Sequence, residues 1–356
     1  MHPRLATPMC TLLGTDVPII QTGMGWVAGP KLVSASSNAG ALGILASATM
    51  DFAQLKAAVA EVRSRTNKPF GVNMRSDAAD IGERIALLID QGVKVASFAQ
   101  APKAALIAKL RDNGVVVIPS IGAKRHAEKV LEWGVDAVLV QGGEGGGHTG
   151  SVPTSILLPQ VVDAVAGRVP VIAAGGFFDG RGLVAALAYG ADGIAMGTRF
   201  LLTSDSAVPQ AVKDYYLTKG VADTTVTKQV DGVPHRVLNT DLVNQLESGR
   251  GKLLALPRAL LNAHRFRSMT GLTLGSMLRE GQAMRKSGGL SYTQMIMAAN
   301  TPMLLKASLV DGKTDSGVMA SGQVVGVIDD LPSCAELIER IVSEAEAALH
   351  QLGSPS

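Results

Sequence analysis

Short apolar runs recur along the first 200 residues of the chain and are bounded by Gly, Pro or Asn. Eight of them start 22 to 32 residues apart, and they are rich in β-branched or aliphatic side chains. Because the runs are almost continuously apolar rather than alternating, both faces of their sheet should be covered, as is typical of parallel strands. The pattern predicts strands over 17–20, 41–45, 70–74, 93–98, 115–119, 137–140, 169–174 and 193–196.

Segments with helical periodicity lie between these runs, and they are rich in Ala, Leu, Lys and Glu. They include 51–65, 81–91, 102–113, 123–133 and 180–189. Eight β–α units in series predict an α/β fold, the (β/α)8 TIM barrel. The competing fold, a doubly wound open sheet, would concentrate its phosphate-binding glycines after the first strand, whereas Gly-rich loops here follow strands one, six, seven and eight.

The strand rhythm stops after about residue 204, and this divides the chain into three parts. Residues 1–204 are predicted to form the barrel. Residues 205–315 are predicted as a mainly helical subdomain on the substrate side that packs on the barrel. Residues 316–356 begin with a Gly-rich return segment and end in a helix predicted over 333–351.

Composition narrows the class of protein. The chain has 356 residues, of which 47% are hydrophobic and 18% charged, so it should fold around a large core. No apolar stretch is long enough to span a membrane, and the start of the chain lacks the apolar region of a signal peptide, so we expect a cytoplasmic protein. Cys10 and Cys334 are too few for a disulfide framework or a metal cluster. A net charge of +3 gives no indication of nucleic-acid binding.

The loops after the seventh and eighth strands contain small residues in the places where barrels bind phosphate. The first has the sequence Ala173-Ala174-Gly175-Gly176-Phe177, and the second Met196-Gly197-Thr198-Arg199. Glycine lets backbone N–H groups approach an anion, and a helix N-terminus favours negative charge. Either loop alone could be a tight turn, but the pair in this order predicts a phosphate site.

The loop after the sixth strand, residues 141–150, has six glycines around a single histidine, His148. Such a loop can lie flat against a planar ring and present one titratable side chain. We therefore predict that His148 transfers protons, against the alternative of a structural histidine. His126 is interpreted as part of a solvated helix face, and His2, His235, His264 and His350 have no comparable setting.

Two further strand ends offer groups to a heteroaromatic ring. The first strand continues into residues 21–26, a Gly-rich loop, and the third ends at Asn73. Either could equally be a local turn device. The chain has no P-loop lysine motif, Ser nucleophile elbow, His-Glu-x-x-His or CxxC, so the common kinase, hydrolase and zinc functions have no support.

As a set, these motifs resemble the nitronate monooxygenase family, also called 2-nitropropane dioxygenases, which are FMN-binding TIM barrels and include related flavin enoyl-thioester reductases. The resemblance covers nearly the whole chain. It is carried by residues 21–24, 71–73, 144–148, 174–177, 179–182, 196–200 and 321–323. The individual residues of these motifs, especially those in 21–29 and 141–150, look most like an actinobacterial branch of the family that is linked to the breakdown of steroid ring-derived CoA thioesters.

The resemblance implies a role for each matching residue. His148 falls on the catalytic base of the family. The flavin ring and ribityl chain would contact Gly23, Met24, Asn73, Gln141, Gly146 and Gly147. The phosphate would be held by Gly175, Gly176, Gly197 and Thr198, and Ala174 and Gln323 belong to the same cofactor-binding motifs. No metal ligand is implied.

Two departures bear on the substrate. Nitronate-oxidising members often have a Lys after the fifth strand, where this chain has Ser120, and this disfavours nitronate oxidation. Residues 250–286 hold eight basic residues against one acid, so this stretch carries +7 and the rest of the chain −4. Such a surface, with Arg258, Arg265 and Arg267 near its middle, could bind the phosphates of CoA or of a nicotinamide dinucleotide, or be an ordinary solvated face.

Three functions follow as hypotheses. In the first, NAD(P)H reduces FMN, hydride is exchanged with an acyl-CoA thioester, and His148 completes the proton transfer. In the second, His148 takes an α-proton from a nitroalkane or binds its nitronate, and O2 completes the oxidation. In the third, the barrel binds a phosphorylated ligand without catalysis. The sequence leaves open whether the chain forms a homo-oligomer.

Overall fold

The computed structural model describes residues 1–230, 232–248, 302–314 and 317–353, and it confirms the predicted barrel. Eight strands, each overlapping one of the predicted runs, close the barrel: Ile19–Gln21 (β1), Leu42–Ala46 (β2), Phe70–Met74 (β3), Val95–Phe98 (β4), Val116–Ile121 (β5), Val138–Gln141 (β6), Val171–Ala174 (β8) and Gly193–Met196 (β9). Three short strands lie outside it: Gly147–His148 (β7), Thr224–Thr227 (β10) and His235–Leu238 (β11).

Helices alternate with the barrel strands in the order that the sequence predicts, and further helices precede and follow the barrel. They are Pro8–Leu13 (α1), Pro30–Asn38 (α2), Phe52–Arg65 (α3), Ile81–Asp90 (α4), Ala104–Arg111 (α5), Lys124–Glu132 (α6), Thr154–Val165 (α7), Gly180–Ala188 (α8), Thr198–Leu201 (α9), Gln210–Leu217 (α10), Asp241–Glu247 (α11), 302–309 (α12) and Cys334–Gly353 (α13). Local sequence sets their ends. At α3, for example, the Asp51 carboxylate accepts from the Gln54 N–H at 2.8 Å, and the Gln54 side chain accepts from the Asp51 N–H, which is a capping box.

All neighbouring strands of the barrel are parallel, and β1 pairs with both β2 and β9 to close the ring. Successive side chains point alternately inward and outward. The inward set forms one apolar cluster, which includes Ile44, Ile118 and Ile172, and the outward set packs under the helices. Met9 and Leu13 of α1 join the inward cluster and are fully buried, so each contributes about 1.5–3 kcal/mol by burial.

The region after the barrel contains strands that the sequence did not predict. β10 and β11 form an antiparallel pair, and β11 also pairs with β7, which gives a three-stranded sheet in the order β10-β11-β7. The described part of residues 205–315 therefore contains a β-hairpin in addition to the helices α10, α11 and α12. Through β7, this sheet connects the loop after β6 to the β10–β11 hairpin.

The return segment, residues 317–333, brings the chain back to the barrel before α13. The Asp330 carboxylate accepts from the buried guanidinium of Arg199 at 2.8 Å and from Arg340 at 2.6 Å. α13 then packs on α8 and α2. The Glu344 carboxylate of α13 accepts from the Gly180 N–H at 2.8 Å, at the start of α8.

Candidate active site

Polar side chains occupy the inward positions at the carboxyl ends of four neighbouring strands. Asn73, Ser97, Ser120 and Gln141 belong to β3, β4, β5 and β6, and each lies two residues beyond another inward position of its strand. The Asn73 amide donates to the Ser97 hydroxyl at 3.3 Å. Ser97 is buried and was not predicted. These side chains form a polar half-ring above the apolar core of the barrel, where active sites of this fold lie.

The opposite half of the same layer is built from small residues. Ala174 ends β8, Ala195 lies next to it on β9, and both face inward and are buried. Gly197 follows on the same side of β9. Small side chains facing polar ones leave room for a flat group that accepts and donates hydrogen bonds along one edge.

The loop after β1 closes against both halves of this layer. A Cβ at Gly23 would stand 2.5 Å from the Cβ of Asn73, so only glycine fits there. A Cβ at Gly197 would lie 3.3 Å from Thr22 Oγ1 and 3.4 Å from Met24 Sδ. The structure therefore brings the predicted residues Gly23, Met24, Asn73 and Gly197 together at the mouth of the barrel.

The two glycines after β8 have backbone conformations that other residues rarely adopt. Their φ angles are +91° at Gly175 and +88° at Gly176. Among the described residues, no acceptor is found for the backbone N–H of Gly176, nor for that of Thr198 at the first position of α9. Two N–H donors that have no acceptor within the described ranges, next to glycines and a helix start, are the arrangement that binds phosphate in barrels.

The return segment lies across these loops. The Gly322 N–H donates to Thr198 Oγ1 at 2.9 Å, and the Gln323 N–H donates to the Glu144 carbonyl at 3.0 Å. A Cβ at Gly146 would stand 2.6 Å from the Gly322 nitrogen, so loop and segment are in close contact. The predicted residues Gly146, Thr198 and Gln323 thus meet in one place.

Glu144 has a role that sequence reasoning missed, although it lies inside the Gly-rich motif. Its carboxylate accepts from the Thr154 N–H at 3.0 Å and from the Thr154 hydroxyl at 2.7 Å. Thr154 is the first residue of α7, and the N-terminus of a helix favours negative charge. Glu144 therefore ties the Gly-rich loop to α7.

His148 lies on β7, not in an open loop. Gly147 and His148 pair with β11, and His235 stands opposite His148 with the ring centroids 4.7 Å apart and the rings tilted by 45°. The His148 side chain is exposed, whereas His235 is buried. The Gln141 amide donates to the His148 carbonyl at 2.8 Å and so connects it to the barrel. The prediction that His235 has no comparable setting was wrong, because strand pairing places it against His148.

Arg236, the next residue of β11, also contacts the Gly-rich loop. Its Nε and Nη2 donate to the Gly143 carbonyl at 3.1 and 2.9 Å. Burial lowers the pKa of Arg236, and the nearby Glu144 carboxylate acts against this. Arg236 also lines a cavity of about 980 Å³ between the loop and the hairpin, together with Lys228, Gln229 and Gln323 among others.

Some predictions fall on residues that the structure does not describe. Arg258, Arg265 and Arg267, and the whole basic stretch 250–286, lie between the described ranges 232–248 and 302–314, so their role stays a prediction. In the described ranges, no group of three or more His, Cys, Asp or Glu side chains is placed to hold a metal ion. A helix with the length and apolar character of a membrane span is also not found there.

Comparison with known sequences relates this chain to one family. A family model described as nitronate monooxygenase matches residues 6–86 and 77–344. A protein of Mycobacterium tuberculosis named (3aS,4S,5R,7aS)-5-hydroxy-7a-methyl-1-oxo-octahydro-1H-indene-4-carboxyl-CoA dehydrogenase is 63% identical over 343 residues, which cover 96% of each chain. A protein of the same name from Rhodococcus jostii is 60% identical and covers 98% of each chain. A "Probable nitronate monooxygenase" of Staphylococcus saprophyticus is 30% identical and covers 68% of this chain and 81% of its own.

Solved structures with the same overall fold were also found. FabK from Thermotoga maritima superposes with a TM-score of 0.77 at 32% identity, covering 97% of this chain and 98% of its own. A nitroalkane oxidase from Streptomyces ansochromogenes superposes with a TM-score of 0.73 at 27% identity, covering 95% of this chain and 98% of its own. These similarities extend over the barrel and the region that follows it.

Proposed function

The chain belongs to the nitronate monooxygenase family of oxidoreductases, and we propose that it is an FMN-dependent enzyme that acts on an acyl-CoA thioester and exchanges hydride with NAD(P). The observation that carries the proposal is identity of 60% or more, over nearly the whole chain, with two relatives named as dehydrogenases of an indene-carboxyl-CoA. The geometry at the mouth of the barrel is compatible with this chemistry.

FMN fits the residues at this mouth. The polar half-ring containing Asn73 and Gln141 faces small residues such as Ala174, which leaves space for the edge of a flat ring. The N–H groups of Gly176 and Thr198, which have no acceptor among the described residues, suit a monophosphate. The remaining residues proposed to hold FMN are Gly23, Met24, Gly146, Gly147, Gly175, Gly197 and Gln323. The loops that contain Gly175–Gly176 and Gly197–Thr198, here called the phosphate cradle, would end the cofactor at one phosphate. The sequence after them has no motif of a dinucleotide-binding unit, so FMN is proposed rather than FAD.

His148 is the residue proposed to move the proton. FMN, when bound, supplies a group that accepts and donates two electrons and so links substrate to NAD(P). When a substrate hydroxyl is oxidised to a ketone, its carbon loses a hydride and its oxygen a proton, and the exposed imidazole of His148 accepts that proton. In the reverse direction the imidazolium returns the proton, as expected for a reductase.

The named substrate of the two close relatives suggests the substrate class. It is a bicyclic hydroxy acid carried as its CoA thioester, and we propose the same class for this chain. We also propose that residues 205–315 form the substrate side of the molecule, with the basic stretch 250–286 receiving the CoA phosphates through Arg258, Arg265 and Arg267.

Nitronate oxidation remains the second candidate function. The family model, the 30% identical relative and the nitroalkane oxidase structure favour it. Ser120, which faces inward near the end of β5 and lies opposite Leu139 of β6, stands where nitronate-oxidising members often have Lys, and this disfavours nitronate oxidation. Both enzymes would use His148 as the base.

The spectrum of the purified protein and one anaerobic experiment test the proposal. We expect a yellow protein whose flavin bleaches on mixing with NADH or NADPH and recovers its colour with the oxidised CoA thioester. Bleaching by a nitronate alone, with rapid turnover in O2, would replace the proposal by the monooxygenase. A colourless protein that FMN cannot reconstitute would leave only a phosphate-binding barrel.

Charge reversal in the basic stretch tests the CoA part of the proposal separately. Replacing Arg258, Arg265 and Arg267 together by Glu should raise KM for the thioester about 10-fold and make it less dependent on salt, because phosphate attraction is lost. Flavin reduction by NAD(P)H must be timed apart from reoxidation by the thioester, since a dinucleotide could use the same surface.

A matched control keeps the change in net charge equal. Lys56, Lys109 and Lys124 lie exposed on helices of the barrel, and reversing these three should leave KM unchanged. If both triple variants behave like the wild type, the basic stretch is a solvated face.

A further inference from the structure

The arc, as residues 143–147 directly before His148 are called here, has a sequence that does not fix its own conformation. Residues 143–147 are four glycines and Glu144. Glycine has the largest conformational freedom of all residues, so ordering it costs the most entropy. A group that transfers protons must stay within about 0.5 Å of its productive position. The arc therefore has to be fixed by contacts from elsewhere in the molecule.

Arg236 contacts both ends of this arc. At one end its guanidinium donates twice to the Gly143 carbonyl, from Nε at 3.1 Å and from Nη2 at 2.9 Å. At the other end its backbone pairs with Gly147 in the β11–β7 ladder. A single residue thus bridges the two ends of the arc, and His148 follows directly after the second end.

Two further contacts fix Arg236 itself. Its Nη1 donates to Thr224 Oγ1 on β10 at 3.0 Å, and its carbonyl accepts from the Ser321 N–H of the return segment at 3.3 Å. The planar guanidinium presents its donors in a rigid fork, so these directions are set together. Lysine has one ammonium and cannot reproduce the fork.

We propose that Arg236 is a positioning residue, which acts through the Gly143–Gly147 arc to place the His148 imidazole against the substrate. The inference rests on the proposed function for its kinetic consequence, because His148 matters there as the acid or base. The ring of the neighbouring His235, 4.7 Å from that of His148, adds a packing contact from the same strand.

The variant Arg236→Met removes the fork and keeps an unbranched side chain of similar length. We expect FMN content to stay near that of the wild type, kcat to fall about 10- to 100-fold and KM to change less than about 3-fold, because misplacement of about 1 Å can cost 10²-fold. Arg236→Lys should recover only part of the rate. Guanidinium ion added to Arg236→Ala should restore kcat several-fold.

Hydrogen exchange gives a readout that needs neither substrate nor turnover. Amides of residues 142–149 should exchange at least about 10-fold faster in Arg236→Met, while those of β2 to β5 keep the wild-type rate. The matched control is Arg168→Met, since the Arg168 guanidinium also donates to two carbonyls, of Val165 and Ala164, at 2.9 and 2.6 Å. It should change neither kcat nor exchange in the arc.

Four results would overturn the proposal. The first is kcat and arc exchange equal to the wild type. The second is a rise in KM alone, which would make Arg236 a substrate contact in the cavity it lines. The third is uniform acceleration of exchange through the barrel, which would make its role merely structural. The fourth is full wild-type activity in Arg236→Lys. This variant also tests the proposal if Arg236→Met does not fold.

Failure of the proposed function is distinguishable from failure of this inference. If the wild type turns over nitronates and not thioesters, the function is wrong, yet the same fall in kcat is then expected with a nitronate, since His148 is the base in both reactions. Exchange in the arc is measured independently of either substrate.

Discussion

Gly176 is the residue at which the phosphate cradle can be tested most directly. Its φ of +88° lies in the left-handed region, which Asn and Asp adopt more readily than other residues with a side chain. Asp and Asn have nearly the same size, so the two variants differ mainly in charge. Gly176→Asp places a carboxylate beside the proposed phosphate position. Like charges about 4 Å apart at an effective dielectric of 20 repel by about 4 kcal/mol, so we expect at least 100-fold weaker FMN binding.

The control for this variant is Gly176→Asn, which adds the same volume without charge and should bind FMN at least 10-fold more tightly than the Asp variant. Fluorescence titration of the flavin-free proteins measures both affinities, and circular dichroism checks the fold. Equal affinities would place the phosphate elsewhere.

His148 should be needed for turnover and dispensable for binding FMN. His148→Ala removes the imidazole, whereas the groups proposed for the phosphate lie on the loops after β8 and β9. We expect full FMN content and a proton-transfer step slowed about 10²- to 10⁴-fold. His126→Ala, on the exposed face of α6, serves as control for a histidine lost elsewhere. Wild-type turnover in His148→Ala would make His148 structural.

Sequence reasoning found the residues whose signal is local and missed those whose position comes from pairing. His148 and the glycines around it were predicted because the motif itself is unusual. Arg236 and Gly143 are 93 positions apart, and nothing near Arg236 marks it as a partner of the Gly-rich loop. Ser97 is likewise one of many serines until β3 and β4 place it beside Asn73.

The barrel strands were predicted within a few residues because each is a buried, continuous apolar run between Gly, Pro or Asn. The outer sheet was not predicted. β7 has two residues and contains Gly147, so it has no strand preference of its own. β10 and β11 have four residues each, and they form because they pair with each other and with β7.

The ion pair between the buried Arg199 and the partly exposed Asp330 connects α9 to the return segment, and its loss should destabilise the fold. In Asp330→Asn the Arg199 guanidinium, 3% exposed, keeps its charge but loses its hydrogen-bonded counter-ion, although the Leu202 and Asp330 carbonyls still accept from it. Because Asp330 is partly exposed, we expect a loss of about 2–3 kcal/mol rather than more. Urea unfolding measures it.

Glu61→Gln is the control, since Glu61 pairs with Arg65 on the exposed face of α3 and such pairs contribute at most about 1 kcal/mol. A loss in Asp330→Asn no larger than in Glu61→Gln would show that the return segment is held by its other contacts.

The pH dependence of the same pair has a definite sign. Burial alone would raise the pKa of Asp330, but hydrogen bonds from Arg340 and Arg199 hold it below its ordinary value. A carboxyl whose pKa is lower in the folded state stabilises the fold above its unfolded pKa of about 3.9 and loses this contribution as pH falls through the folded value. The difference in unfolding free energy between wild type and Asp330→Asn should therefore be constant from pH 7 to 5 and shrink below pH 4.

At the scale of the whole molecule, the cradle joins parts of the chain that are distant in sequence. The Thr198 hydroxyl of α9 and the Gly322 N–H of the return segment are 124 positions apart. A ligand that binds only when these two parts are in contact stabilises the folded state of the whole chain by mass action. FMN at 100 times its Kd should add about 2.7 kcal/mol to the free energy of unfolding, seen as a higher Tm.

Riboflavin is the control for this prediction, because it has the same ring and no phosphate. We expect it to raise Tm much less than FMN at equal concentration. Equal shifts with the two compounds would mean that the ring alone accounts for binding and that the cradle contributes nothing.

The contact between Gly322 and Thr198 also has a consequence for biosynthesis. All eight barrel strands have left the ribosome well before residue 322 is added to the chain. At about 5–20 residues per second, the 124 residues that separate the two partners take roughly 6–25 s to synthesise. During that interval a nascent barrel can collapse around its apolar core before the return segment, which lies across the loops at its mouth, has been synthesised. If the proposed cradle binds FMN, its completion is thus a late event in synthesis, and we expect a nascent chain that stops shortly before residue 322 to lack the Gly322–Thr198 contact although all its barrel strands have emerged.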